Sequence, residues 1–189
     1  MEFYELLVLA SIALLACVLA ALFLRSSLRV YKEHERGVRF RLGRLDRVMG
    51  PGISFALPYL DSTITVDTRS RVLELPSLKA ITRENATVFL DVVARYKISS
   101  PGLAVTKVAD PEASLRTVVE TAVRNSVGEL SLGQLVGKRE FINARLRESV
   151  SNEAEGWGLG IEGVEITDVT PSERTMQRIN KEGKRKSRN

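Results

Sequence analysis

The sequence predicts an α+β protein: an N-terminal transmembrane helix, then a two-lobed domain with a β-rich first lobe and an α/β second lobe, then a short C-terminal helix. Three observations predict it. The run LLVLASIALLACVLAALFL, Leu6 to Leu24, carries no charge over about 19 residues, close to the ~20 that cross a bilayer as helix. From Val30 to Ile98 apolar and polar residues alternate with the period of strands. After Ser99-Ser100-Pro101-Gly102 the apolar spacing lengthens to that of helices. The expected boundaries are 1–29 for the anchor, 30–170 for the domain and 171–189 for a helix start and a basic tail.

The anchor residues are Leu6, Leu9, Ile12, Leu15, Leu19, Leu22 and Phe23. No Pro or Gly interrupts them, so the helix can satisfy its own backbone, as lipid demands. A cleaved signal peptide starts basic and has a shorter apolar core; this chain starts MEFYE. A lipoprotein signal would use Cys17 in LLAC. The acidic start and the apolar residues from Val18 to Leu24 count against it, and it stays as the alternative. Glu2 and Glu5 precede the span; Arg25, Arg29, Lys32, Arg36 and Arg39 follow it. The excess of cations after the span predicts a single pass in the cell membrane with the domain in the cytoplasm. The same five cations are expected to hold anionic head groups, each contributing ~1 kcal/mol beside an anionic leaflet.

Within GVRFRLG, Val38, Phe40 and Leu42 are expected on one strand face, with Arg39 and Arg41 on the other. Ile64 and Val66 share a face in STITVDT. ATVFLDVVARYKIS alternates longest: Val88, Leu90, Val92, Ala94, Tyr96 and Ile98 inward, Thr87, Phe89, Asp91, Val93, Arg95 and Lys97 outward. Asp110 then caps a helix with Pro111 at its first position and an apolar stripe of Leu115, Val118, Val119, Ala122, Ser126 and Leu130. A second helix is expected from about Gly137 to Glu155, ended by Gly156. GIEGVEITDV returns to strand. Thr170, Pro171 and Glu173 then form a capping box that opens the last helix.

The chemistry is sparse. One cysteine and one histidine, His34, leave no Cys/His zinc site and no Ser/His/Asp triad in a sensible setting. No cofactor, no metal and no catalytic residue is expected. The net charge of +5 favours an anionic partner, but the cations cluster beside the span, where lipid is nearer than nucleic acid. Gly50-Pro51-Gly52 lacks the Lys-Ser/Thr and following helix of a phosphate loop, so it is a turn. Ile53, Phe55, Leu57 and Tyr59 then alternate with Ser54, Ala56 and Pro58. Two outcomes are open for these four: an internal strand packed into the first lobe, or a loop that touches the membrane.

EHERGVRFRLGR, GPGISFALPYLDS, VDTRS, DVVARYKISSP, LRTVVETAVRNSVGELSLGQLVGKRE and WGLGIEGVEITDVTP stand in one order over about Val30 to Arg178. Together they resemble the stomatin branch of the SPFH family of stomatin, prohibitin and flotillin. The resemblance implies a two-lobed SPFH (band 7) domain without catalytic activity, a membrane-anchored scaffold that organises membrane proteins or lipid microdomains, and self-association. It also implies membrane lipids as partners, with an NfeD-type membrane protein or a membrane protease as a further one. A regulatory subunit of a membrane protease is the alternative, and a basic nucleic-acid-binding module the remote one. The chain departs from the family at three points. The span has no proline at a hairpin bend, so a single pass is expected. Arg83-Glu84-Asn85 stands where relatives usually show an acidic residue after Thr-Lys, and no function attaches to it. Glu182–Asn189 is a short basic tail in place of the long Ala/Glu-rich helix, which leaves the size of an assembly open.

Overall fold

The structure, a computed structural model, describes residues 2–177. Arg178 and the basic tail lie outside the described residues, as does the side chain of the anchor residue Leu6. The chain divides into two compact units, one ending at Thr68 and the next beginning at Arg69.

The first unit opens with helix α1 (Glu2–Ser27). Within it, 20 residues from Val8 to Ser27 are long and apolar enough to cross a membrane, and of that stretch's described side chains only Ser27, at its end, is buried. Strand β1 (Leu28–Tyr31) follows at once and pairs antiparallel with β4 (Gly52–Phe55) as a separate ribbon. A three-stranded antiparallel sheet has the order β3-β2-β5, with β2 (Glu35–Arg41) between β3 (Arg44–Met49) and β5 (Asp61–Asp67). Its core is small: Tyr31, Val38, Met49, Ala56 and Val66. Gly37 gives the Tyr31 ring its bed, because a Cβ there would stand 2.4 Å from Tyr31 Cζ. The Tyr31 hydroxyl is buried, and among the described residues it has no hydrogen-bond partner.

One expectation about β2 is corrected, and Ile64 and Val66 do share a face of β5. Leu42 is not on a packed strand face: it sits in the Leu42-Gly43 turn between β2 and β3, with φ of 49° and 78°, and is 77% exposed. Positive φ at both central residues is what a two-residue hairpin requires, and it swings the leucine out of the sheet. Val66 is buried, but Ile64 on the same face is exposed, because the sheet is only three strands wide.

The second unit is an antiparallel sheet, β6 (Arg71–Ile81), β7 (Thr87–Ile98) and β8 (Leu159–Pro171), in that order. β7 lies in the middle, and Val88, Leu90, Val92, Ala94 and Tyr96 are all buried, as its alternation predicts. Helices α3 (Pro111–Glu129) and α5 (Arg139–Ala154) pack against this face. Burying each such Val or Leu contributes about 1.5–3 kcal/mol. Asp110 caps α3 through the amides of Glu112 and Ala113 at 3.0 and 3.1 Å. The buried stripe also includes Val123 and Val127, and Leu130 is the residue that ends the helix. Edge strand β6 bulges between Leu75 and Leu78. Pro76 has no amide to donate there, and the Ser77 amide turns to the Asp91 carboxylate at 2.7 Å.

The expected helix from about Gly137 to Glu155 is α5, and a further short helix precedes it. A short helix, α4 (Leu132–Gly137), is capped by Ser131 with Gln134 in a capping box, and α5 starts after a kink at Lys138. The stop is Gly158, at φ 76°, not Gly156. Its carbonyl accepts from the Ser99 and Ser100 amides, and a Cβ would meet the Ser100 carbonyl at 2.4 Å. Gly156 has open space instead. Pro101–Lys107 forms a further helix, α2, that the Pro-Gly pair masks as a loop. The last helical turn, over 173–177, is capped by Ser172 rather than Thr170, because Thr170 still pairs with Phe89 in β8. Trp157 packs partly buried against the core.

Two outcomes follow for the first unit. Gly37→Ala is expected to cost about 1–3 kcal/mol by forcing the Tyr31 ring aside, whereas Tyr31→Phe is expected to be neutral or to stabilise by up to about 1 kcal/mol. Amide hydrogen exchange of β2 and β5 in detergent measures both; equal effects of the two variants would sink the packing argument. Asp61 supplies the second. Its side chain has no exposed area, yet few atoms crowd it, so pairing sets its acidity. The hydrogen bond from Arg41, then that from the Leu57 amide, hold the carboxyl at about 2. The folded value lies below the unfolded ~3.9, so this stabilisation is full above that value and is lost as pH falls toward 2. Protection of the β5 amides should therefore fall between about pH 4 and 2, and Asp61→Asn should flatten that slope; an unchanged slope in the variant would refute the assignment.

Candidate functional site

The sequence singles out three sets of residues, and all of them fall in the first unit. The helix-to-strand junction organises them. α1 ends at Ser27 and β1 begins at Leu28, with no linker between. The Ser27 carbonyl, one of the orphan acceptors of a helix end, takes the Ala56 amide at 2.8 Å. The Ser27 hydroxyl donates back to the Phe23 carbonyl at 2.8 Å. The end of the apolar helix is thus tied to both strands of the β1–β4 ribbon.

The ribbon has two unlike faces. Register places Leu28 opposite Phe55 and Val30 opposite Ile53. Alternation puts these four on one side, and all four are exposed, Val30 and Ile53 by about three quarters. On the other side, Tyr31 is buried over Gly37, and Arg29 stands across from Ser54. Past Phe55 the chain makes a compact loop, closed by the Asp61 amide on the Leu57 carbonyl at 2.9 Å. Ala56 is buried, Leu57 and Pro58 are half-buried, and Leu60 is exposed. Tyr59, at φ 71°, projects fully into solvent. Of the four expected loop residues, Ile53, Phe55 and Tyr59 are therefore presented outward and Leu57 is only half so. An internal strand packed on that face is excluded by their exposure.

Leu28, Val30 and Leu60 belong to the same apolar group. Nothing in the sequence around Leu28 and Val30 marks them, because Arg25, Arg29 and Lys32 dominate the local composition. Only the register against β4 joins them to Ile53 and Phe55.

The anchor side chains Leu9, Ile12, Leu15, Leu19, Leu22 and Phe23 are all exposed around α1. Cys17 is exposed on it as a free thiol. The cation set divides. Arg25, Arg29 and Lys32 are exposed at the end of α1 and along the ribbon. Arg36 is half-buried and donates to the carbonyls of Glu33 and Glu35 at 2.6 and 2.9 Å, which closes the β1–β2 turn. Arg39 is the correction: it is 7% exposed and unavailable to a head group. Its guanidinium pairs with Asp46 on β3, donates to the Phe55 carbonyl at 3.2 Å, and lies 3.9 Å from Asp61 on β5. A buried charge is tolerated only when paired, and this one is. The hydrogen bond from Arg39 holds the Asp46 carboxyl below the usual carboxylate range. His34 is half-buried in the turn, and its carbonyl accepts the Thr68 amide and hydroxyl at 2.9 Å each. Among the described residues no three His, Cys, Asp or Glu side chains gather as metal ligands do.

Comparison with known proteins identifies the family. The SPFH domain / Band 7 family model matches residues 29–189. A protein of Archaeoglobus fulgidus is 36% identical over 162 residues, covering 86% of this chain and 65% of that protein. A stomatin homolog of Pyrococcus horikoshii is 33% identical over 148 residues, 78% of this chain and 56% of its own length. Mouse stomatin is 33% identical over 144 residues, 75% of this chain and 51% of its own. The chain thus spans between about half and two thirds of these three relatives. With the family model matching everything after the apolar helix and stomatins among its relatives, the chain belongs to the SPFH/Band 7 family, in its stomatin-like branch.

Proposed function

We propose that this protein is a single-pass membrane protein whose SPFH domain, on the cytoplasmic side, is a non-enzymatic scaffold for membrane proteins or lipids. The observation that carries it is the junction. An apolar helix of spanning length passes with no linker into a ribbon that exposes Leu28, Val30, Ile53 and Phe55. A strand that leaves the end of a span directly lies at the head-group level, where exposed apolar side chains gain about 25 cal/mol for each Å² withdrawn from water. Tyr59 has the apolar ring and polar tip of an interfacial residue. Arg25, Arg29 and Lys32 supply the cations for an anionic leaflet and set the orientation. Arg36 and Arg39 are used internally and are left out of that role. Copies of the domain would associate with one another, and the partner would be a membrane protein such as an NfeD-type protein or a protease.

Three measurements test this. In a Cys17→Ser background, a fluorophore on Ile53→Cys should be quenched by lipids brominated on their acyl chains and shielded from aqueous iodide; free iodide access would remove the membrane contact. Protease added to intact cells should leave the domain whole and cut it only after lysis. The native mass in nanodiscs should correspond to many copies. A monomer would overturn the scaffold, and a stoichiometric protease in the complex would convert it into a protease subunit.

A further inference from the structure

The β2–β3 hairpin tip is a strongly exposed apolar element of the first unit that the ribbon does not absorb. Leu42 occupies the left-handed region at φ 49°, where glycine and asparagine are favoured and a leucine is strained. Nothing in the fold compensates, since the side chain is 77% exposed. Leu45, opposite Phe40 in the hairpin, is exposed as well. Arg41 and Arg44 face each other across the base of the turn. Arg41 is held by Asp61 at 2.9 Å, but among the described residues no carboxylate pairs with Arg44. The hairpin explains the backbone at this position, but the isolated unit gives an exposed leucine there nothing to pack on, and bearing that strain with an apolar side chain points to a binding role.

Its position identifies the partner. The Leu42 amide donates to the Leu60 carbonyl at 3.1 Å. Leu60 closes the loop that starts at Ala56, whose amide holds the Ser27 carbonyl at the end of α1. Four residues reach at most about 14 Å, so the tip lies within roughly 20 Å of the end of the apolar helix. The hairpin tip is thus joined through Leu60 and the loop from Ala56 to the end of α1, beside the Leu28–Phe55 pair of the ribbon.

We propose that the hairpin tip is a second lipid contact: Leu42 and Leu45 enter the acyl–head-group boundary, and Arg44 takes the phosphate of an anionic phospholipid. The proposal rests on the reading of the ribbon face as membrane-facing, and it adds a separate element with a lipid preference of its own. The hairpin then braces the domain against the bilayer at a point away from the helix axis, which limits its swing about the junction.

The test uses the full chain in vesicles of phosphatidylcholine, alone or mixed with phosphatidylglycerol. In the Cys17→Ser background, fluorophores are placed singly on Leu42→Cys and Ile53→Cys. Both should be quenched by brominated lipid and shielded from iodide, and the quenching at 42 should be stronger with phosphatidylglycerol present. Arg44→Gln should remove that difference while leaving position 53 unchanged. Leu42→Asn should relieve the turn and raise thermal stability in detergent. Lipid quenching at 53 with iodide access at 42 overturns the hairpin contact and leaves the ribbon reading intact. Iodide access at both overturns the two together. Shielding at 42 without lipid quenching means that protein covers the tip, and overturns the proposal. An anionic increment that survives Arg44→Gln overturns the phosphate assignment.

Discussion

A buried guanidinium holds the first unit together. Arg39 lies on the middle strand of a three-stranded sheet and reaches Asp46 on one neighbour, the vicinity of Asp61 on the other, and the Phe55 carbonyl of the separate ribbon. So small a core supplies little hydrophobic stabilisation, because a unit of this size has too much surface for its volume. Polar ties are directional, and here they compensate by fixing where four strands sit. Their cost is desolvation: breaking one partner of such a pair leaves the other charge stranded, which costs more than the pair contributes. The geometry at the end of α1 depends on this node, because Phe55 is held from one side by Arg39 and from the other by its register with Leu28.

The second unit is stabilised by other means. There the central strand β7 is buried along one whole face beneath α3 and α5, and the sheet is organised by apolar area rather than by charge. Exposed ion pairs such as Arg95 with Glu165, at 2.5 Å, decorate the opposite face and add little. The bulges at Leu75/Leu78 and within the β7–β8 pairing let long strands twist without losing that face. An apolar core of this sort gives the domain a rigid body. The exposed apolar groups on which the proposed membrane contact rests lie in the first unit, next to the helix.

That division bears on function. The proposed scaffold role depends on where surfaces are held, so the informative residues are those whose exposure has no internal explanation. Leu28, Val30, Ile53, Phe55 and Tyr59 are of this type, and so is the strained Leu42. Tyr59 and Leu42 both have left-handed backbone, and Leu42 is hydrogen-bonded to Leu60, the residue after Tyr59. Turns that aim an apolar side chain outward cost conformational energy.

Patterns local in the chain were legible without coordinates. The apolar run at the N-terminus, the alternation of β7, and the Asp110-Pro111 start of α3 each follow from a single period or cap that neighbouring residues impose on one another. Contacts between distant segments decided the rest. Alternation assigns Arg39 to the wet face, but β3, β4 and β5 close around it and make it an internal tie. Leu42 continues an apolar period, yet the chain must reverse there, so the turn takes it. Gly156 and Gly158 are equivalent as letters; only the approach of Ser100 selects Gly158. Leu28 and Val30 carry no signal until β4 lies beside them. The sequence by itself determined the N-terminal apolar helix, the long strand β7 and the start of α3, because those depend on spacing along the chain. The tertiary structure decided which charges are spent inside and which apolar side chains face out, because that depends on partners tens of residues away.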